Sequence, residues 1–572
     1  MNTQKIERVD SLPLIVQWLL KMRVPELIDA IWQPHSHWQG LSYGQLTLLL
    51  LTFIIYTHTH KLSHVEDWGR AHQHTLEACT GWQIGEKDLT DDRLGRVLEV
   101  LGEDAAQSAA YQHQQSQHLI RAYALPTAVA RYDTTTFNVH HAPPEAPEAG
   151  GILSFGHSKD RRPDLLQYKV GLSTLDPAGI PLLSHVVDGK CADDPLYLPA
   201  WRETCTVLGH RDFLLVSDCK ASALQTRVTI DAEAGYYLFA QTLTGEVPEL
   251  LATWVLAPPT APAPIFLEAD AEAQPIGQGF CVERVLTATS EAGTLHTWTE
   301  RWLVTQSYAH ARRAQQRLHA RLDKAEQKLQ RLRPTATETA AEFLARAERV
   351  AQHQHVAGLF HIQVTTEVTT RRCYLQRGRP GPHTPYEDVT EQRLHLHVQR
   401  NTEAITRAQT LCGWRIYVTN VPADRMSLAQ ATVYYRDQWL NERGYHRFKR
   451  GSLPALPLWL RIPARIKGLM LVLLVALQAL TLMEFVVQRE LAHQGDTLAG
   501  LVPGNPRMRT ARPSAERLLV AFDYLHFLIT TSTTHCEGHL VETLSELQRR
   551  ILALLHLPES IYHLNLQNSC SE

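Results

Sequence analysis

The chain contains no Cys-x-x-Cys pair. Its nine cysteines, at 79, 191, 205, 219, 281, 373, 412, 536 and 570, are scattered. That argues against a structural zinc site or a disulfide framework and suits a reducing compartment. Charge of one sign is also missing. The formal net charge is −3, so the whole molecule is no polycation and any nucleic-acid surface has to be a local patch. Long apolar runs are few. Leu46–Tyr56 is too short to cross a bilayer. Gly468–Met483 is interrupted by Gln478 and Thr481 and closed by Glu484, short of the ~20 apolar residues a helical span needs. Both read as buried core helices, and no membrane partner is expected. The N-terminal stretch mixes Lys5, Glu7, Arg8 and Asp10, and its apolar run is broken by Gln17, which does not read as a signal peptide. No internal repeat is visible.

At 572 residues, 44% apolar and 20% charged, the chain has an ordinary globular composition and is too long for one core. Residues 1–120 read as a helical domain, because apolar runs such as Leu14–Leu20 and Leu46–Ile55 alternate with polar turns and no strand-like alternation is sustained. The character then changes. Ala128–Val139, Tyr168–Leu175, Pro181–Val187, Phe213–Ser217 and Tyr236–Gln241 are short runs rich in β-branched and aromatic residues, separated by turn signals such as Asp176-Pro-Ala-Gly179. Helices at 194–208 and 221–233 between these runs indicate an α/β sheet. Pro143–Gly151 and the prolines at 258, 259, 262 and 264 read as loops or linkers.

Residues 309–332 read as a helical hairpin arm, with Leu318, Leu322, Ala325, Leu329 and Leu332 at coiled-coil spacing. Three readings of the arm stand: it tracks DNA, mediates dimerisation, or packs on its own chain. Further strands are expected at Phe360–Thr366, Leu394–Val398 and Arg415–Val421, which makes 243–425 a β-rich insertion. Helices are expected at about 427–450, 463–490, 514–531 and 539–556.

Two aspartates stand out. Asp133 lies inside the apolar run Ala128–Phe137, and Asp218 ends Phe213–Ser217. A carboxylate in a buried strand is costly unless paired, hydrogen-bonded or bound to a cation. Either one can also be a loop-start or helix-capping Asp, but two in one α/β unit point to strand ends where ligands gather. A third element is the helix carrying Tyr435, Glu442 and Lys449, spaced by seven, with Gln438 beside them. By periodicity alone it is an amphipathic helix with a charged face. From Arg443 to Met483 there is no Asp or Glu, while Arg443, Arg447, Lys449, Arg450, Arg461, Arg465 and Lys467 are present. Such a stretch suits a phosphate backbone, and each of these residues also fits a solvated face.

The combination resembles the bacterial insertion-sequence transposases of the DDE type, in the branch with a long β-rich insertion before the last acidic residue. The residues that carry the likeness are Tyr132-Asp-Thr-Thr-Thr136, Gly156-His-Ser-Lys-Asp-Arg-Arg-Pro-Asp164, Val216-Ser-Asp218, Arg377-Gly-Arg-Pro380 and the helix from Tyr435 to Lys449. Gly40-Leu-Ser-Tyr-Gly-Gln45 and Asp91-Asp-Arg-Leu-Gly95 look like that family's N-terminal helical domain. The family signature Tyr-x2-Arg-x3-Glu-x6-Lys reads here Tyr435-x2-Gln438-x3-Glu442-x6-Lys449. Gln438 therefore departs from it, and Arg436 is placed to compensate by reaching around the helix.

The resemblance implies an RNase H-like mixed-sheet catalytic core, at 121–242 and 426–495, interrupted by the β-rich insertion at 243–425. Helical domains at 1–120, for DNA-end recognition, and 496–572, for contacts between subunits, flank it. Asp133, Asp218 and Glu442 are implied as catalytic residues and ligands of two Mg²⁺ ions, with Mn²⁺ as a substitute. Such hard cations prefer oxygen donors, and two of them suit in-line displacement at phosphorus. Tyr435, Arg436, Gln438, Arg447, Lys449 and Arg450 are implied DNA contacts. The implied partners are double-stranded DNA, as terminal inverted repeats and target, and a second subunit on DNA, in the bacterial cytoplasm at the nucleoid. A hairpin intermediate on the transposon end is a further implication. Two other readings stay open: an RNase H-like nuclease that does not join strands, and a catalytically silent DNA-binding protein.

Three histidine and arginine clusters read more plainly. His58, His60 and His64 resemble a metal-binding cluster but fit a helix end or surface better, His140-His141 fits a loop better than an approach to the site from the end of the first strand, and Arg507, Arg509 and Arg512 fit either DNA or a solvated linker. Arg377–Pro380 fits a backbone contact or a turn equally.

Overall fold

The computed structural model describes residues 3–143, 151–267, 274–531 and 536–563. Most of the expected loop Pro143–Gly151, at 144–150, lies outside the described residues. The chain begins with a strand, β1 (Thr3–Arg8), followed by helices α1 (Leu12–Lys21), α2 (Val24–Ile31), α3 (Tyr43–Thr57), α4 (Val65–Ala71), α5 (Gln73–Thr80), α6 (Asp91–Glu103) and α7 (Ala105–Tyr123). Local chemistry sets these starts. Ser42 and Gln45 form a reciprocal capping box at α3, and the Asp104 side chain accepts the backbone N–H groups of Ala106 and Gln107 at α7.

Next come β2 (Val129–Val139), β3 (Leu166–Leu175), β4 (Ile180–Asp188), α8 (Tyr197–Leu208), β5 (Leu214–Ser217), α9 (Leu224–Ala232) and β6 (Tyr236–Ala240). The middle of the chain carries α10 (Val247–Leu256), β7 (Ala263–Ile265), β8 (Gly277–Thr289), β9 (Leu295–Ser307), α11 (Tyr308–Gln330) and α12 (Ala340–His353). After these run β10 (Phe360–Tyr374), β11 (Tyr386–Arg400), α13 (Thr402–Thr410), β12 (Trp414–Thr419) and α14 (Leu428–Arg436). The last part holds α15 (Trp439–Arg450), α16 (Pro463–Gln494), β13 (Leu498–Ala499), β14 (Arg509–Thr510), α17 (Ala515–Val520), β15 (His526–Thr531), β16 (Cys536–Leu540) and α18 (Glu546–Leu554).

The protein is thus mixed α/β. Its largest sheet is mixed and nine-stranded, in the order β4-β3-β2-β5-β6-β12-β9-β8-β7. The chain divides into two compact units. Unit 1 comprises Met1–Phe239, Leu286–Trp298 and Tyr434–Glu572, and unit 2 comprises Ala240–Val285 and Thr299–Val433.

In unit 1, β4-β3-β2 is an antiparallel meander, while β2 pairs parallel with β5 and β5 parallel with β6. A right-twisted parallel pair needs a crossover, and α8 and α9 provide the connections. The centre of the unit is α16. By length and composition this helix could cross a membrane, but its most apolar window is wholly buried in the protein. It starts at Pro463 and ends at Gly495, whose φ is 60°, the arrangement that starts and stops helices most cheaply. Helices α6 and α16 meet backbone to backbone. A Cβ built on Gly468 would stand 1.9 Å from the Leu98 carbonyl oxygen, and one on Gly102 would stand 2.0 Å from that of Ala464.

Both ends of the chain differ from the helical expectation. β1 pairs antiparallel with β15, and β15 with β16. The apolar run 514–531 is therefore a short helix and then a strand, because Phe527 and Ile529 alternate inward while Leu528 and Thr530 are less buried.

In unit 2, the arm expected over 309–332 is the one long helix α11 (Tyr308–Gln330), and its hairpin partner is α12. Leu318, Leu322, Ala325 and Leu329 pack with Ala347, Ala351, Val356, Phe360 and Ile405, so the coiled-coil spacing serves a core within the chain. Strands β10 and β11 form an antiparallel ribbon from Phe360↔Arg400 to Tyr374↔Tyr386, longer than the two short strands expected there.

Candidate active site

Asp133 lies midway along β2, opposite Leu172 of β3. On the other side β2 and β5 pair in parallel up to Arg131↔Val216. Carried two residues further, that register puts Asp218, the residue after β5, level with Asp133. Two aspartates separated in sequence by a hairpin and a helix therefore meet at one level of adjacent strands.

Each is held by named partners. The Thr134 backbone N–H donates to Asp133 Oδ1 at 2.7 Å. The Tyr197 hydroxyl donates to Asp218 Oδ1 at 2.6 Å, joined by the Lys220 N–H at 3.0 Å. Burial is the main force on the Asp133 carboxyl and pushes it up to about 6. Lys159 opposes the shift, whereas Asp218 and Asp193 add to it. Burial, and then Asp218, raise the Tyr197 hydroxyl far above the ordinary tyrosine range, so it stays a donor at neutral pH.

A third acidic residue, Asp193, joins the cluster from the loop after β4. Its Oδ1 accepts from Lys169 Nζ at 2.6 Å and from the Thr134 hydroxyl at 3.0 Å, and its Oδ2 is 3.7 Å from Lys159 Nζ. Burial disfavours its charged form, but these lysines outweigh that and hold it below the usual aspartate value. Lys159 also donates to the Thr134 carbonyl at 2.5 Å. In the sequence Lys159 stands only as one residue of 156–164 with no role of its own, and no motif there singles out Asp193 or Tyr197. The available signal was the pair Asp193-Asp194 just before a helix, at the carboxyl end of a strand.

The third expected element is placed differently. The helix expected over 427–450 is two helices, with a turn at Asp437–Gln438. There the Leu440 N–H reaches back to Asp437 O and the Asn441 N–H to Gln438 O, the tighter three-residue spacing of a helix end. Asp disfavours helix interiors because its carboxylate competes for nearby donors, and here it accepts from Trp439 Nε1 at 3.3 Å. Tyr435 thus belongs to α14, and Glu442 and Lys449 to α15, so the seven-residue spacing does not trace one continuous stripe.

Helix α15 lies against β2 through its buried face. The Tyr445 hydroxyl donates to the Asp133 carbonyl at 2.5 Å, and Gly444 faces Leu172 and Leu477. Glu442 points away from that face and is exposed. Among the described residues, no three His, Cys, Asp or Glu side chains are gathered as a metal ion requires. Asp133 and Asp218 supply two hard oxygen donors, Asp193 is taken up by two lysines, and Glu442 lies exposed on α15. Asp133 and Asp218 are the residues that would hold a divalent cation here, with Glu442 carried on the helix that packs against β2.

The expected DNA contacts divide. Arg436 and Arg450 are exposed, and Tyr435 and Gln438 are half-buried. Lys449 is partly buried with Nζ 3.3 Å from Asp160 Oδ2 and 5.5 Å from the Phe137 ring centre. Burial lowers its pKa, against the pull of Asp160. Arg447 is a correction. It is 5% exposed, with Nη2 2.5 Å from Glu484 and Nε 2.8 Å from Glu516, so its guanidinium ties α15 to α16 and α17 and offers no face to a phosphate.

Comparison with known proteins adds one finding at the other end of unit 1. No curated protein matches the chain. Residues 4–112, from β1 to the first part of α7, match the family model described as Domain of unknown function (DUF4277).

Proposed function

We propose that the chain is an insertion-sequence transposase of the DDE type, with an RNase H-like core, that cuts DNA at terminal inverted repeats and joins the 3′-hydroxyl ends to a target. One observation carries this reading: Asp133 within a central strand and Asp218 at the end of its parallel neighbour stand level, with a carboxyl raised to about 6 by burial and by its acidic neighbours. A buried carboxyl raised in this way beside a second aspartate at a strand end of an α/β sheet is a candidate reaction site. Around them, Tyr197 orients Asp218, and Lys159 balances the local negative charge. Arg436, Lys449 and Arg450 supply cations on the segment that packs over Asp133. In this reading the protein is Mg²⁺-dependent, works as a dimer on duplex DNA, and acts at the nucleoid of the bacterial cytoplasm.

The exposed position of Glu442 favours a second reading, a protein that binds DNA ends without cutting them. A cleavage and joining assay separates the two. Labelled duplexes carrying the inverted repeats that bracket the reading frame are incubated with Mg²⁺ and target DNA. Under the first reading, wild type cuts and joins, whereas Asp133→Asn, Asp218→Asn and Glu442→Gln each abolish cutting and keep end binding. Cleavage that survives all three substitutions refutes the first reading, and wild-type binding without cleavage supports the second.

A further inference from the structure

Unit 2 holds a basic groove that the site above does not use. Its cavity of about 710 Å³ is lined by Arg313, Arg317, Arg321 and Lys324 of α11, with His310 at one end and Arg415 of β12 on the facing wall. No acidic residue lines it. Helix α11 sorts its charges by face. Its apolar face packs into the core described above, and its acidic face, Asp323 and Glu326, holds Arg400 at 2.6 and 2.7 Å. The groove face keeps only cations. Arg313, Arg317, Arg321, Lys324 and Arg415 are exposed, and none forms an ion pair among the described residues. Arg317 and Arg321 donate only to the carbonyls of Arg313 and His355.

Such an arrangement is costly unless an anion completes it, because like charges four residues apart on a helix repel. Arg313, Arg317 and Arg321 follow one another at four residues, a rise of about 6 Å per step. That is close to two steps of a DNA strand, which advances about 3.4 Å per phosphate along the duplex axis. A ladder of unpaired guanidinium groups at this spacing suits a run of backbone phosphates better than a single small anion.

We propose that this groove is a backbone track for duplex DNA, gripping successive phosphates without reading bases. The choice of DNA rests on the function proposed above, whereas the track itself rests on the unpaired cations. The test uses the full chain and a fluorescein-labelled random-sequence duplex. Binding is measured as salt rises from about 50 to about 200 mM. The variants are Arg313→Ala/Arg317→Ala/Arg321→Ala, the corresponding triple Lys variant, and Arg312→Ala, an exposed arginine outside the groove. Alanine at these exposed helical positions favours the fold.

Three lost phosphate contacts flatten the slope of log affinity against log salt by about 3, so the gap between wild type and the Ala variant narrows about 40-fold over that range. The Lys variant and Arg312→Ala keep the wild-type slope. Unchanged duplex affinity and slope in the Ala variant overturn the proposal. So does a loss confined to single-stranded RNA or to an acidic peptide. The same duplex binding is measured with Asp133→Asn, which separates the two ideas. A flattened slope beside cleavage that survives Asp133→Asn leaves the track standing and removes the catalytic reading. An unchanged slope beside cleavage lost in Asp133→Asn does the reverse.

Discussion

The α6–α16 crossing gives a sharp stability prediction, because two opposing effects of one methyl group can be ranked. Alanine at Gly468 gains about 1 kcal/mol of helix propensity. Its Cβ would stand 1.9 Å from the Leu98 carbonyl oxygen, a backbone atom at the middle of a neighbouring helix. Relief requires α6 and α16 to separate by more than an ångström along a fully buried contact. Overpacking of this kind costs typically 1–3 kcal/mol, and with backbone on both sides the upper end applies. The net expectation is a loss of about 2 kcal/mol, with the same sign for Gly102→Ala.

Gly95→Ala, on α6 as well, is the internal control. Its Cβ would meet the Arg465 guanidinium at 3.0 Å, the mobile end of a long side chain, so propensity wins and the variant is neutral or more stable. Differential scanning calorimetry of the three variants reads the outcome. For a unit of this size each kcal/mol moves the midpoint by about 1 °C, so Gly468→Ala should fall by roughly 2–3 °C. A Gly468→Ala protein as stable as wild type, or a Gly95→Ala protein destabilised as much, would refute the reasoning.

Three further outcomes are expected. Burial pushes the Glu7 carboxyl up, but hydrogen bonds from His74, Lys5 and Thr75 outweigh it and hold the pKa at about 2. A depressed folded pKa stabilises above the unfolded value near 4.5 and ceases to do so as pH falls toward 2. Acid titration should therefore show about 3 kcal/mol lost across that window in wild type and a flatter curve in Glu7→Gln. Arg447→Met takes the 2.5 Å partner from Glu484, which is 1% exposed, leaving it Arg443 Nη2 at 2.9 Å, and should cost about 2 kcal/mol in urea unfolding, the worth of a charge-assisted hydrogen bond. Arg450→Ala, on the exposed face of the same helix, should change stability by less than about 0.5 kcal/mol. Leu322→Ala empties the centre of the α11–α12 core, and about 2–5 kcal/mol of unit 2 stability should go with it, read as faster proteolysis of that unit.

Strands β2 to β6 were legible because their β-branched runs are short, apolar and separated by Gly/Pro turns, and α16 because its run is too apolar for any place but a core. Asp133 and Asp218 could be nominated from sequence, since each sits in or at the end of such a run. Their standing level could not, because it follows from the β2–β5 register, which long-range pairing sets. The joint at Asp437–Gln438 was hidden for a related reason: Tyr435, Glu442 and Lys449 keep their spacing whether or not a turn intervenes. Arg447 looks like any basic helix residue until Glu484 and Glu516 arrive from other elements. β1 and β15 escaped notice because each is stabilised by the other, at opposite ends of the chain.

The ribbon of β10 and β11 carries a last consequence. Beyond Thr366 and Leu394 nearly every residue of both strands is exposed, so the outer length is held by its ladder and a few side chains, such as Arg372 over the Tyr386 ring at 4.6 Å. Two strands alone are marginal in water, and amides there open without any core being disturbed. Deuterium should enter Val368–Tyr374 long before Phe360–Val364, grading one hairpin from fast tip to slow root.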